Sequence, residues 1–190
     1  MADRPIIFSA PMVQALLEGR KTQTRRLYKP RQARDPWHLP YAIGDRLWVR
    51  ESVRAAESYD GEQRGVHYLA DDTWRWLPDT PEAEAQHFLL RRYRATDPDL
   101  DAYKSVPSIH MPRWVSRLTL VVTEVRLQRL PEITQADAIA EGAPAGWEGG
   151  GKSRDWFFAL WDQLHGAEAA AGAPLVVALT FTVERAADYT

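Results

Sequence analysis

The chain has 190 residues, with 24 Lys and Arg against 26 Asp and Glu and a formal net charge of −2. That length suits a single domain over residues 1–190, long enough to bury a core without staples. Cysteine is absent, which excludes disulfides, thiolate nucleophiles and cysteine zinc sites. The start lacks a basic run followed by a long apolar stretch, and no 18-residue apolar span occurs. A soluble, cytoplasmic protein with no membrane partner is expected.

The first predicted element is a helix capped by Ser9, with Pro11 in its first turn and Met12, Val13, Leu16 and Leu17 on one face. Gly19 stops it, so residues 20–26 leave a helix end as a loop or short strand. Tyr41 to Asp45 reads as a turn and Arg46 to Val53 as a strand, with Leu47, Val49 and Glu51 opposite Trp48 and Arg50. Residues 54–106 carry many acids and weak periodicity. They read as a long elaboration, partly loop, with a helix over Pro81 to Arg92. A long strand is predicted over Ser116 to Leu130. Two helices follow, one capped by Thr134 and running to Glu141 with Gly142 as its stop, the other capped by Ser153 and covering Asp155 to Leu164 before Gly166. Trp156, Phe157, Leu160, Trp161 and Leu164 have helical spacing and belong to the core. Leu175 to Val183, apolar on both faces, is a central strand. Short helices interleaved irregularly with strands favour an α+β fold built on a small β-barrel.

Charge is unevenly spread. Residues 1–54 hold 11 basic and 5 acidic groups, so the remainder is acidic. Arg20, Lys21, Arg25, Arg26, Lys29, Arg31 and Arg34 make a run without an acid, which suits a phosphate-bearing ligand or a solvated loop. Within Gly19-Arg20-Lys21-Thr22-Gln23-Thr24-Arg25-Arg26, a hydroxyl beside an amine forms a possible nucleophile–base pair. Lysine must first become neutral, and burial beside Arg25 and Arg26 would push it that way. The competing reading is a structural turn with a phosphate-binding loop. The five histidines (His38, His67, His87, His110 and His165) lack ligand spacing, and no Gly-rich phosphate cradle is present. Neither a metal nor a cofactor is expected.

Gly19-Arg20-Lys21-Thr22-x-Thr24-x-Arg26 followed by Gly44-Asp45-x-Leu47-x-Val49 resembles the ASCH domain, a relative of PUA-like barrel proteins. With Ser9 to Met12, Trp48 to Glu51, Ser108 to Trp114 and the last strand, the pattern is similar to ASCH proteins of phages and prophages. The resemblance covers most of the chain apart from about fifty residues after Arg54. It implies a PUA-like small β-barrel with flanking helices and a long insertion. Small members of that family are amidohydrolases that deacetylate N(4)-acetylcytidine. Their lysine, threonine and later glutamate carry over to Lys21, Thr24 and Glu141, and Arg26 matches as a ligand-contacting or structural residue. The insertion puts substrate choice in question more than the chemistry.

The sequence therefore points to hydrolysis of an N(4)-acylated cytosine base or nucleoside. Thr24 attacks the acyl carbon, Lys21 takes its proton, and Glu141 holds the lysine and shuttles a proton. Attack by a Glu141-directed water is equally open. Thr22, Arg26, Trp48, Arg50, Glu51 and His110 are candidate substrate contacts. Trp48 and His110 offer stacking surfaces, and Glu51 is able to accept from a cytosine amine or to pair an arginine. The alternative function is a non-catalytic module that binds RNA or reads a modified base, with RNA as its partner through the Arg20 to Arg34 segment. Oligomeric state is not legible.

Overall fold

The computed structural model describes residues 2–29, 39–91, 103–144 and 152–186. In chain order the elements are β1 (Asp3–Ile7), α1 (Ala10–Leu17), β2 (Gln23–Leu27), β3 (Arg46–Arg50), β4 (Val53–Glu57), β5 (Arg64–Tyr68), β6 (Thr73–Trp76), α2 (Pro81–Arg91), β7 (Leu118–Arg129), α3 (Gln135–Ala140), α4 (Ser153–His165) and β8 (Leu175–Arg185). The fold is the expected mixture of helices and strands. A five-stranded sheet has the order β1-β3-β7-β8-β2, and a three-stranded sheet has the order β4-β5-β6.

By compactness the chain forms two units. One comprises Met1–Asp3, Ala15–Leu47 and Leu120–Glu184; the other comprises Arg4–Gln14, Trp48–Thr119 and Arg185–Thr190. In the first unit, β2 pairs antiparallel with β8, with Thr24 opposite Leu179 and Arg25 opposite Ala178. β8 lies inside the sheet between β7 and β2. That position explains its apolar run, since Val176, Val177, Ala178 and Leu179 are all buried. Leu130, Ile133, Ala138, Phe157, Trp161 and Val176 form this unit's apolar cluster.

Local signals were followed closely at the helices. Ser9 O accepts from the N–H groups of Met12 and Val13, and Gly19 N bonds Leu16 O with φ +74°. Thr134 Oγ1 accepts from Asp137 N while the Asp137 carboxylate accepts from Thr134 N, a reciprocal cap that starts α3. α4 begins earlier than expected. Lys152, not Ser153, is its cap residue, and the Asp155 carboxylate accepts the Lys152 N–H. Burial of Phe157 and Trp161 on α4 agrees with their helical spacing.

One expectation is corrected. The strand over Arg46 to Val53 is broken. β3 stops at Arg50, Glu51 N donates to Met111 Sδ at 3.2 Å, and Val53 opens β4 in the other sheet. The elaboration after Arg54, expected to be partly loop, carries an ordered antiparallel meander among its described residues. Arg54 faces His67, which faces Trp74, across β4, β5 and β6. One face of this sheet buries Val53, Ala55, Val66 and Tyr68 with Leu90, Val106, Met111 and Val115. The helix expected after Pro81 is α2, with Thr80 Oγ1 accepting the Ala83 N–H. Residues 92–102 of the elaboration, and Arg31, Arg34 and His38, lie outside the described residues.

Candidate functional site

Lys21 sits where three elements of the first unit are stitched together. Its N–H donates to Ala15 O at the end of α1, and the next N–H, from Thr22, donates to Ala140 O at the end of α3. Thr22 O accepts from Phe181 N of β8. Gly142 makes the approach possible. Its φ is +99°, and an added Cβ would lie 3.1 Å from Ala15 Cβ and 3.3 Å from Lys21 Cβ. The glycine that ends α3 thus also lets the lysine stem pass against the chain just after Glu141.

Here the side chains expected to act together are partly assembled. Lys21 Nζ is 2.8 Å from both Glu141 Oε2 and Glu141 O. Lys21 is 2% exposed, Thr24 1% and Glu141 4%. Thr24 Oγ1 accepts from Arg26 Nη1 at 2.7 Å, and the same Nη1 donates to Arg25 O. Thr24 and Arg25 are consecutive residues of β2 and point to opposite faces. Arg25, not Thr24, therefore completes the carboxylate's surroundings, with Nη1 3.0 Å from Glu141 Oε1. Arg25 Nη2 lies 3.2 Å from Asp137 Oδ2, and Arg126 Nη2 donates to Asp137 Oδ1. Thr22 is exposed.

The electrostatics follow from burial and from an excess of cations. Burial is the main influence pushing the Lys21 amine below its ordinary value. Glu141 opposes this, and the charges of Arg26 and Arg25 assist it. Burial likewise lowers the Arg26 guanidinium, against the pull of Glu141 and Tyr41. Burial opposes ionisation of Asp137 but is outweighed by the backbone and side chain of Thr134 and by Arg126 and Arg25, which bring its carboxyl to about 2. An amine driven toward neutrality beside a carboxylate is able to take and return a proton. A hydroxyl that accepts from a guanidinium is better able to carry negative charge.

The remaining candidates belong to the second unit. Glu51 is buried, and both its oxygens are taken by Arg117, at 2.9 Å from Nε and 2.8 Å from Nη2. Pairing an arginine is one of the two roles expected of Glu51. Trp48 is buried with the Arg50 and Arg113 guanidiniums 4.7 and 5.6 Å from its ring centroid. His110 is exposed in a short 3₁₀ turn.

Sequence reasoning passed over Arg25 as a site residue and Asp137 altogether. Arg25 was legible as a member of the basic run, and Asp137 as the third residue of a capped helix. Their meeting depends on how β2 faces α3, which no spacing reveals. The basic run is also less of a surface than expected, since Lys21 and Arg25 are buried in ion pairs. Among the described residues no cluster of three or more His, Asp or Glu is disposed to hold a metal ion. No described helix is long and apolar enough to cross a membrane.

No model of a known protein family matches the chain, and no curated protein matches it. Two solved structures do. One is an ASCH domain from Lactobacillus crispatus JV V101, at 13% identity and a TM-score of 0.42, over 96% of this chain and 79% of that one. The other is a protein from Enterococcus faecalis V583 assigned to the family DUF984, at 14% identity and a TM-score of 0.41, over 97% of this chain and 81% of that one.

Proposed function

We propose that the chain is an amidohydrolase that removes the acyl group from N(4)-acylated cytosine bases or nucleosides, of which N(4)-acetylcytidine is the first to test. The observation that carries the reading is the buried contact of Lys21 Nζ with Glu141 Oε2 at 2.8 Å, set among cations that favour a neutral amine. The choice of substrate follows the resemblance of residues 19–26 to ASCH amidohydrolases.

In this reading Thr24, held on Arg26 and not on the Lys21–Glu141 pair, comes to bear on the acyl carbon as the covering segments move. Its Oγ1 forms a bond to that carbon and passes its proton to Lys21. Arg26, already donating to that oxygen, offsets the charge that develops on it. The carbon–nitrogen bond then breaks, and the exocyclic nitrogen leaves with a proton returned through Lys21 and Glu141. Water hydrolyses the acyl-threonine. The three groups are nearly covered in the free chain, so the covering segments must yield when substrate binds. The test is incubation with N(4)-acetylcytidine while cytidine release is followed, with mass spectrometry of acid-quenched protein. An acetyl group on Thr24 marks the covalent route, and turnover retained by Thr24→Val marks attack by a water beside Glu141. No release from any of several acyl-cytidines ends the enzyme reading.

The rival reading is a non-catalytic RNA or modified-base module. It rests on the Arg20 to Arg34 segment, yet burial of Lys21 and Arg25 removes two of its seven cations from any phosphate-binding surface. Polyanion binding falls steeply with added salt, whereas hydrolysis of an uncharged nucleoside responds little. Salt-sensitive RNA binding without hydrolysis would favour this rival.

A further inference from the structure

Arg25 occupies an unspecified position of the Gly19 to Arg26 motif, yet its side chain is fully buried and meets the same carboxylate as Lys21. Glu141 gives one oxygen to each cation: Oε2 to Lys21 at 2.8 Å and Oε1 to Arg25 at 3.0 Å. Behind Arg25, Asp137 approaches Nη2 at 3.2 Å. The hydrogen bonding of Arg25 is incomplete. Its Nε and Nη2 have no hydrogen-bond partner among the described residues, and the Phe157 ring centroid lies 5.8 Å from its Cζ. The charged groups around Lys21 are thus Glu141 from the end of α3 and Arg25 and Arg26 from β2, with Asp137 of α3 one step behind. Counting Arg126, which pairs with Asp137, four cations face two carboxylates when Lys21 is protonated and three when it is neutral, so loss of the Lys21 proton relieves an excess of positive charge.

We propose that Arg25, backed by Asp137, is the positioning residue that lets Lys21 give up its proton inside this buried cluster. A lone lysine–glutamate pair in a dry site keeps its proton on the lysine, because the carboxylate would otherwise be buried without a counter-charge. Arg25 cannot deprotonate near neutral pH. It supplies that counter-charge permanently, so Glu141 stays satisfied whether or not Lys21 is charged. Asp137 tempers the field of Arg25 and limits how far the balance tips. The catalytic consequence rests on the amidohydrolase reading; the protonation behaviour of Lys21 does not.

The test uses the full chain grown with lysine labelled at the ε carbon. There are four lysines, Lys21, Lys29, Lys104 and Lys152, and Lys21→Arg identifies the signal of Lys21. Carbon NMR titration then gives each midpoint. Lys21 is expected to titrate below the other three. Arg25→Gln should raise its midpoint by about one unit, the lower end of what a charge at this range produces. Asp137→Asn should lower it, because a negative charge has gone and Arg25 is less restrained. Opposite shifts in two variants of one buried cluster are not what a merely structural role gives. If Arg25→Gln does not fold, Arg25→Lys keeps the charge without the planar fork, and a Lys21 midpoint close to that of the wild type then supports the proposal. In the acyl-cytidine assay, the acidic limb of the pH profile should move in the same direction as the midpoint in each variant. A Lys21 midpoint that stays fixed in folded Arg25→Gln or Asp137→Asn overturns the proposal, as does one that moves up in Arg25→Lys. Shifted midpoints in a protein that hydrolyses no acyl-cytidine uphold it and remove the amidohydrolase reading instead. Hydrolysis by the wild type with unmoved midpoints removes only this inference.

Discussion

Each of the two compact units sets an arginine against carboxylates, but they solve the electrostatic problem in opposite ways. In the second unit Arg117 meets Glu51 through Nε and Nη2, Asp71 through Nη1 and Nη2, and Thr73 through Nη1, at 2.8 to 2.9 Å. All five N–H donors of the guanidinium are used, and its Cζ lies 4.0 Å from the centroid of the Tyr68 ring. Two anions flank one cation. Burial works against the charge on Arg117, yet Glu51 and Asp71 hold it above its ordinary value. In the first unit cations outnumber carboxylates, Arg25 keeps donors without a hydrogen-bond partner among the described residues, and the amine beside it is pushed below its ordinary value. A cation surrounded by anions is a clamp. A buried amine shared between one carboxylate and two guanidiniums holds its proton more loosely, which is why the proposed chemistry is placed there.

The largest effect is expected from breaking the clamp. Arg117→Ala leaves Glu51 buried without a counter-charge, a loss of about 3–5 kcal/mol for a broken buried pair. Urea unfolding should show the midpoint falling at unchanged slope, while the Lys21 titration stays as in the wild type. A loss below about 1 kcal/mol would mean that Arg117 is not the clamp described. Next comes Lys21→Arg, which preserves charge but removes any group able to become neutral near pH 7. Turnover of N(4)-acetylcytidine should fall by about 10²-fold or more, the lower end of acid–base contributions. Retained turnover removes the base assignment.

The contrast between the units also shows what sequence could and could not reveal. α1 and α3 were readable because Ser9, Gly19, Thr134 and Gly142 act on backbone within a few residues. The Lys21–Glu141 pair spans 120 positions; it entered through a family resemblance, since no periodicity joins residues so far apart. The meander hid because its apolar alternation is inverted at β6. Trp74 and Trp76 are exposed while Arg75 is buried, donating to Trp114 O at 3.0 Å. A reader who expects tryptophan inside places that strand the wrong way round or not at all. The overrun of β3 has a similar origin. Alternation continues through Glu51, and the break is fixed by Arg117, 66 residues on.

A third effect sharpens the comparison through pH. Asp137 has a folded value of about 2 against 3.8 for the unconstrained carboxyl. Folding therefore favours the ionised form, and the contribution is fully present above about pH 4. It is lost as pH falls from about 4 toward 2, and the shift corresponds to about 2 kcal/mol. Wild type and Asp137→Asn should differ in unfolding free energy by a pH-dependent amount that shrinks through this window. A difference that stays constant down to pH 2 would show that Asp137 acts through shape and hydrogen bonding, not charge.

The smallest effect comes from the exposed side of the meander. His67 and Trp74 are cross-strand neighbours with ring centroids 4.5 Å apart and planes within 3°, and His67 Nε2 lies 2.7 Å from Asp72 Oδ1. The indole is about half exposed, so little apolar area is removed from water and the stack contributes mainly as a cross-strand pair. Trp74→Ala should cost about 0.5–1 kcal/mol, well below the loss at Arg117, although both residues belong to the same unit. Trp76→Ala on the same strand is the internal control. That ring packs over Gly65, where an added Cβ would lie 2.8 Å from the indole, so its removal uncovers glycine backbone as well as losing ring contacts. Trp76→Ala should therefore cost more than Trp74→Ala. The reverse order in urea unfolding would show that the His67 stack, and not the cover over Gly65, holds β6 in place.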